Sequence, residues 1–255
     1  MRDQPTSPPR LNILGCPVNT PDAVEMQGWL DRTLSDPWDG RCRHLVTLNP
    51  EYVMAARSDP PFAVAIRAAD LVVADGVGIV LAARAIYGVR LIRQTGVALT
   101  ERLVTGESPV FMLGAGPGVA QAAAAKMATR VPNANVAGIW DGGSADVRDD
   151  AEALSRIQIS GAQVVLVAYG ASGQIAWIVR NQTALAAAGV RLVIGVGGTF
   201  NFLSGSVARA PRIIQRIGLE WLYRLVREPW RWRRQLALPR FAALTFFAAL
   251  RNRLP

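Results

Sequence analysis

Histidine and cysteine are nearly absent from this chain. Its 255 residues include one histidine, His44, and two cysteines, Cys16 and Cys42. No zinc-ligand spacing can be built from so few, and a disulfide framework is excluded by number. A reducing, cytosolic setting is the simplest expectation. Lysine is as scarce: Lys126 stands alone among 28 basic residues. A high-GC genome gives the same arginine bias, so the ratio itself says little. Long apolar runs are missing too. The nearest, residues 241–250, is about half of the roughly 20 residues a spanning helix needs. The N-terminal MRDQPTSPPR has no apolar run behind it, so no secretory signal is expected. No D-x-D pair occurs. A bound diphosphate is therefore expected to be held by arginines and backbone N–H groups, with no metal.

What is present describes a globular α/β chain. Hydrophobic residues make up 51% and charged residues 18%, enough for a substantial core. The formal net charge is +9, and the arginines crowd after Val207. Basic crowding at one end points to an anionic partner: phosphates, a membrane surface or nucleic acid. Short apolar runs at residues 11–15, 44–48, 71–74, 109–113, 135–140, 163–168 and 191–194 alternate with helical segments. That rhythm predicts a mostly parallel, Rossmann-like sheet with flanking helices. A basic helical appendage follows, so the chain divides into an α/β core over residues 1–207 and an appendage over 208–255.

The stretch 43–78 organises the core. Two apolar runs end in polar residues, the first in Thr47, Asn49 and Glu51, the second in Asp75-Gly76, with a helical segment between. Parallel neighbours joined this way carry both polar ends to the carboxyl edge of the sheet, where ligands sit. Asp75 is the candidate base, although an aspartate at a strand-to-helix junction is by position alone more often an N-cap. GAGPG at residues 114–118 lacks the third glycine of a dinucleotide fingerprint, since Val119 stands there. Gly114 still lets a backbone approach a phosphate, or simply makes a tight turn. Gly195, Gly197 and Gly198 sit at another strand end, with Thr199 and Asn201 to supply hydrogen bonds. His44 reads as structural, and a thiol nucleophile has little support.

In the appendage, residues 219–236 read as one helix would align Arg224, Arg227, Arg231 and Arg234 on one stripe. Trp221, Leu225, Trp232 and Leu236 would fall on another. Arginine with tryptophan fits nucleic acid or an oligomer interface. A membrane surface fits better, because tryptophan favours the headgroup level and arginine pairs with anionic lipid.

Several of these motifs together resemble the WecG/TagA/CpsF family of bacterial glycosyltransferases. The matching residues are Thr47–Glu51 (TLNPE), Ala74–Gly78 (ADGVG), Arg93 with Gly96, Leu113-Gly114 with Pro117-Gly118, and Gln174 with Trp177. Gly195–Gly198 (GVGG), Arg209-Ala210-Pro211, the run GLEWLYRL at 218–225 and Glu228-Pro229 complete the set. The resemblance implies an inverting, metal-independent transfer of a sugar from a UDP-sugar to a polyprenyl-diphosphate-linked saccharide. It places the chain peripherally on the cytoplasmic face of the plasma membrane, in cell-surface polysaccharide synthesis, with no cofactor and no nucleic acid. Carried over, Asp75 is the general base and Thr47 and Asn49 hold the sugar. Arg93, Gly114, Gln174, Gly197, Gly198 and Asn201 hold the nucleotide, and Arg224, Arg227 and Arg231 neutralise the leaving diphosphate.

The sequence also departs from the family pattern. Ile175, Asn201 and Ala98 replace acidic residues usual there, and Asp141–Ser144 (DGGS) lacks an aromatic. Two alternatives stay open: a non-catalytic membrane scaffold, to which the departures at Ile175 and Asn201 give weight, and a nucleotide-cofactor enzyme using Gly114–Gly118. A homo-oligomer also stays open.

Overall fold

The computed structural model describes residues 8–131, 133–211, 213–214, 220–229 and 232–252, without the side chains of Arg224, Arg233 and Arg234. Strands β1 (Arg10–Ile13) and β2 (Cys16–Asn19) pair antiparallel as a separate hairpin. The sequence suggested one strand over 11–15; instead the chain reverses at Leu14 and Gly15, with φ of 53° and 97°. Positive φ at both central residues is what a type I′ two-residue hairpin turn requires. Gly15 takes that conformation freely, and its N–H donates to Asn12 Oδ1 at 2.7 Å. The hairpin lies against the sheet's edge. Asn19 Oδ1 accepts the Val72 N–H at 2.9 Å, occupying a donor on an otherwise open strand.

The main sheet has six parallel strands: β3 (Arg43–Leu48), β4 (Leu71–Ala74), β5 (Val110–Gly114), β6 (Val136–Trp140), β7 (Val164–Ala168) and β8 (Leu192–Gly195). Their spatial order is β4-β3-β8-β7-β5-β6. Alternate residues divide between two apolar layers. Val110 and Met112 of β5 join one layer, Phe111 and Leu113 the other. Strands apolar on both faces must be covered on both, which is why they read as unbroken hydrophobic runs. Helices α1 (Ala23–Ser35), α5 (Gly96–Val104), α6 (Val119–Arg130) and α9 (Thr199–Leu203) serve one layer. Helices α2 (Pro50–Ser58), α3 (Pro60–Ala68), α7 (Asp150–Ser160) and α8 (Ala171–Ala187) serve the other, and α4 (Val77–Tyr87) packs with them. The single helical segment expected between β3 and β4 is two helices. Pro60 has no N–H to continue α2, and it disfavours helix at Asp59. Asp59 then caps α3 through the Phe62 N–H.

β3 and β4 are in register with Thr47 opposite Val73 and Leu48 opposite Ala74, so both polar ends emerge side by side. The connection from β5 runs outward to β6, whereas that from β7 runs inward to β8. Such a reversal opens a crevice at the carboxyl ends of β5 and β7.

The appendage is not one helix. It forms α10 (Glu220–Arg227), α11 (Trp232–Gln235) and α12 (Ala237–Arg251), broken at Glu228-Pro229. Proline cannot donate back into α10, so the four-arginine stripe expected over 219–236 is interrupted. The apolar run 241–250 is also two-faced. Phe241 and Ala249 of α12 are buried in the same cluster as Ile79, Ala83 and Ile86 of α4, while Phe246, Phe247 and Leu250 stay exposed. Asn252 Nδ2 ties the end of α12 to the Ile86 carbonyl at 2.8 Å. Among the described residues no helix is long and apolar enough to cross a membrane.

Both cysteines are buried, and burial pushes their thiols up to about 11 (Cys16) and about 12 (Cys42). Neither is a thiolate at neutral pH. Burial lowers His44 to about 4, so it is a neutral core residue.

Gly114 has a packing role. Its φ is +88°, and a Cβ there would lie 2.7 Å from the Tyr169 ring. Gly114→Ala is expected to cost about 1–3 kcal/mol, seen as a lower urea midpoint at an unchanged slope. An unchanged midpoint would count against this packing role.

Candidate active site

The carboxyl edge of the sheet opens into a cavity of about 1080 Å³, walled on one side by strand-end loops and on the other by the appendage. Its charged lining among the described residues is Glu51, Asp75, Arg93, Arg209 and Glu220.

Asp75 follows β4 directly. Its N–H donates to the Leu48 carbonyl at 2.7 Å, which fixes it to the neighbouring strand. The helix cap is the next residue, Gly76 (φ +87°), and no side chain caps α4. The carboxylate is thus not used as a cap, the role that position alone favours. It accepts instead from the Gly96 N–H in the first turn of α5. That helix begins where Thr95 Oγ1 caps the Ala98 N–H at 3.1 Å. Burial pushes the Asp75 carboxyl up to about 7. The Arg93 charge pulls it down, Glu220 pushes it up, and the Gly96 amide and Arg209 pull it down. What exposure Asp75 retains faces the cavity. A carboxylate poised near neutrality suits proton abstraction at physiological pH.

Thr47 and Asn49 also line the cavity. Asn49 Oδ1 is committed to capping α2, accepting the Tyr52 N–H at 2.9 Å, which leaves its Nδ2 as the group facing a ligand. Gln174, buried at the start of α8, is a strut as much as a wall. Its Oε1 accepts the Gly197 N–H at 2.9 Å, and its Nε2 donates to Tyr52 Oη at 2.5 Å. A Cβ on Gly195 would sit 2.5 Å from Gln174 Nε2, so this strand end has to be glycine. Gly197, Gly198, Asn201 and Arg93 line the same cavity.

Other expected residues fall elsewhere. Gly114 does not line the cavity; Ala115 and Gly116 do, at the crevice between β5 and β7. Arg227 lies outside the lining, exposed, with its guanidinium 5.5 Å from the Tyr223 ring centroid. The break at Pro229 separates it from any continuous stripe. Arg231 and the side chain of Arg224 lie outside the described residues. Arg209 and Glu220 were not predicted. They form an ion pair of 3.7 Å in the cavity wall, and their only sequence signal was membership of the R-A-P and E-W motifs. Of the departures from the family pattern, Ile175 is a buried core residue that needs no charge partner, while Asn201 is in the lining. Among the described residues no three acidic, histidine or cysteine side chains are grouped to hold a metal ion.

Comparison with known proteins agrees with the motif set. Residues 11–255 match the glycosyl transferase WecG/TagA/CpsF family. The chain is similar to the N-acetylglucosaminyldiphosphoundecaprenol N-acetyl-beta-D-mannosaminyltransferase of Bacillus subtilis (strain 168), 32% identical over 200 residues. That alignment covers 77% of this chain and 76% of the relative. It is also similar to the transferase of the same name from Bacillus spizizenii (strain ATCC 23059 / NRRL B-14472 / W23), 30% identical over 234 residues and 88% of each chain. With the match running through both the strand-end loops and the appendage, the chain belongs to the WecG/TagA/CpsF family of glycosyl transferases.

Proposed function

We propose that this chain transfers a sugar, with inversion and without a metal, from a UDP-sugar to a saccharide carried on a polyprenyl diphosphate. The observation that carries this reading is Asp75: a cavity-facing carboxyl poised at about 7, between Arg93 and the Arg209–Glu220 pair. Inversion needs one base and a good leaving group. Asp75 takes the proton from the acceptor hydroxyl. The oxygen attacks the anomeric carbon as the bond to the nucleotide diphosphate breaks, and UDP leaves with the electron pair. Arg93 and Arg209 face the charge that develops on the diphosphate, the work a metal ion does in other transferases. Thr47 and the Asn49 amide hold the transferred sugar. The nucleotide lies against the loop at Gly197–Asn201, which Gln174 positions from behind. N-acetylmannosamine, named in both Bacillus relatives, is the first donor sugar to test.

The exposed apolar residues of the appendage, among them Trp232, Leu236, Phe246 and Phe247, support a peripheral seat on a membrane surface, which this reading puts on the cytoplasmic face. Neighbouring arginines supply the attraction to anionic lipid.

The test is a transfer assay on the purified chain in EDTA. It uses UDP-N-acetylmannosamine and a short-chain prenyl-diphosphate-linked N-acetylglucosamine, with other UDP-sugars in parallel. Transfer is expected to persist in EDTA. Because the base works only when ionised, kcat is expected to rise about tenfold per pH unit below about 7 and to level above it. No transfer from any UDP-sugar, or a profile flat from pH 5 to 8, would overturn the reading.

A further inference from the structure

Thr199 opens α9, just past the glycine turn that follows β8, where the residue pattern offers it as a hydrogen-bond partner for a ligand. Its hydroxyl is already committed. Thr199 is buried, and its Oγ1 donates to the Val196 carbonyl at 2.7 Å. A hydroxyl has one proton, so none is left to donate to a nucleotide. The Thr199 N–H reaches the same carbonyl at 3.2 Å, and the Val196 N–H donates to the Val167 carbonyl of β7 at 2.8 Å. The turn is thereby closed on itself and pinned to the sheet.

The first turn of α5 rests on it. A Cβ on Gly96 would lie 3.0 Å from Thr199 Oγ1 and 3.6 Å from the Val196 carbonyl oxygen. The first distance is tighter than side-chain carbons ordinarily pack, so Gly96 sets its bare α-carbon against the hydroxyl. The approach to α5 is fixed as well: the Gln94 N–H donates to the Ala74 carbonyl of β4 at 2.8 Å. Held on both sides, Gly96 directs its N–H at the Asp75 carboxylate. Burial pushes that carboxyl up to about 7, and this amide is among the groups that pull it down. A hydrogen bond weakens with misalignment as well as with distance, so the amide works only while α5 keeps its seat.

We infer that Thr199 is a positioning residue for the base. Its hydroxyl is the spacer between the glycine turn and α5, and through Gly96 it holds the amide from which Asp75 accepts. The turn that lines the nucleotide end of the cavity thus also supports the catalytic end. The role in turnover rests on the transferase reading above; the contact itself does not.

Among the described residues, the charged groups lining the cavity with Asp75 are Glu51 of α2, Arg93 before α5, and Arg209 and Glu220 on the appendage side. Gly96 and Thr199 carry no charge, so replacing them leaves this set in place and isolates the amide.

The experiment follows Asp75 by NMR of its carboxyl carbon, on the ligand-free chain labelled at aspartate, with Asp75→Asn assigning the signal. Thr199→Ala removes the spacer, and the titration midpoint is expected to rise by about half a pH unit. Gly96→Ala drives a methyl against the hydroxyl and is expected to raise the midpoint by a similar amount. In Gly96→Ala/Thr199→Ala the new methyl fills the space the hydroxyl left, so the double variant is expected to shift less than either single one. Thr199→Ser keeps the hydroxyl and is expected to titrate as wild type. Turnover follows the titration, with kcat at pH 6 expected to be about threefold lower in Thr199→Ala.

A midpoint unmoved in Thr199→Ala, an equal shift in Thr199→Ser, or single shifts that simply add in the double variant would each overturn the inference. So would a fall in UDP affinity without a shift, which would give the hydroxyl to the donor instead. Urea midpoints accompany each titration, and lost stability with an unmoved titration is a merely structural role and counts against it. Sugar transfer is assayed alongside. Shifted titrations in a chain that transfers nothing keep this inference and overturn the transferase reading. Transfer with an unmoved titration does the reverse.

Discussion

Asp75→Asn is expected to lower kcat about a thousandfold and, at the same time, to make the protein more stable at pH 8. The first effect follows from removing a general base while keeping the shape of the site and its bond from the Gly96 N–H. The second follows from linkage. Below pH 4 the carboxyl is protonated in both folded and unfolded chains, so it costs nothing. As the pH rises from 4 to 7 the unfolded chain releases this proton while the folded chain keeps it, and stability falls through that window. Above 7 the folded protein carries a buried charge and the loss is complete. Asparagine escapes it. The gain is expected to grow between pH 5 and 7 and to reach about 2 kcal/mol at pH 8, allowing for water in the cavity. Turnover and urea midpoints across pH 5–8 check both halves. A variant with near-normal kcat would remove Asp75 from the chemistry. A stability gain that does not vary with pH would remove the titration. Arg93 and Arg209 lower this carboxyl and Glu220 raises it, so substituting any of the three is expected to move the acid limb of the rate profile in the matching direction.

The second large effect is at Gln174, and it is on stability first. Gln174→Ala empties a buried site, strands the Gly197 N–H and removes one hydrogen bond to the Tyr52 hydroxyl, with an expected loss of about 3–4 kcal/mol. Set against a total of roughly 5–15 kcal/mol for a domain, that is a large fraction. Gln174→Met keeps the volume and loses the bonds, so about 2 kcal/mol is expected. In both variants the Gly197–Asn201 loop loses its support, and UDP is expected to bind about tenfold more weakly. Denaturant titration and UDP calorimetry test this. UDP affinity unchanged in a folded Gln174→Met protein would separate the strut from the nucleotide site.

Much of the fold was readable because its strands are short, apolar and bounded by glycine or proline. β4 and α4 fall where the residue pattern put them, since four apolar residues run into Asp75-Gly76 and α4 closes at Gly88 in the left-handed conformation. The hairpin was not readable. Its turn uses Leu14 with positive φ, a conformation that leucine does not advertise. The split between α2 and α3 was written in Asp59-Pro60-Pro61 but looks like ordinary loop chemistry until Asn49 and Asp59 are seen as caps.

By itself the sequence determined the class of the fold, the parallel pairing that brings Thr47, Asn49 and Asp75 to one edge, and the family, through an ordered set of motifs. These follow from local pattern: hydrophobic period, cap residues, glycines at strand ends. Only the tertiary structure decided what each polar residue is free to do. It assigned the cap of α4 to Gly76 and so released Asp75, and it set that carboxyl among Arg93, Arg209 and Glu220. It turned Gln174 into a strut, moved Arg227 out of the cavity wall, and folded α12 onto α4. The physical reason is the same in each case. A side chain's charge, partners and exposure depend on groups far away in sequence, and those are brought together only when the layers pack.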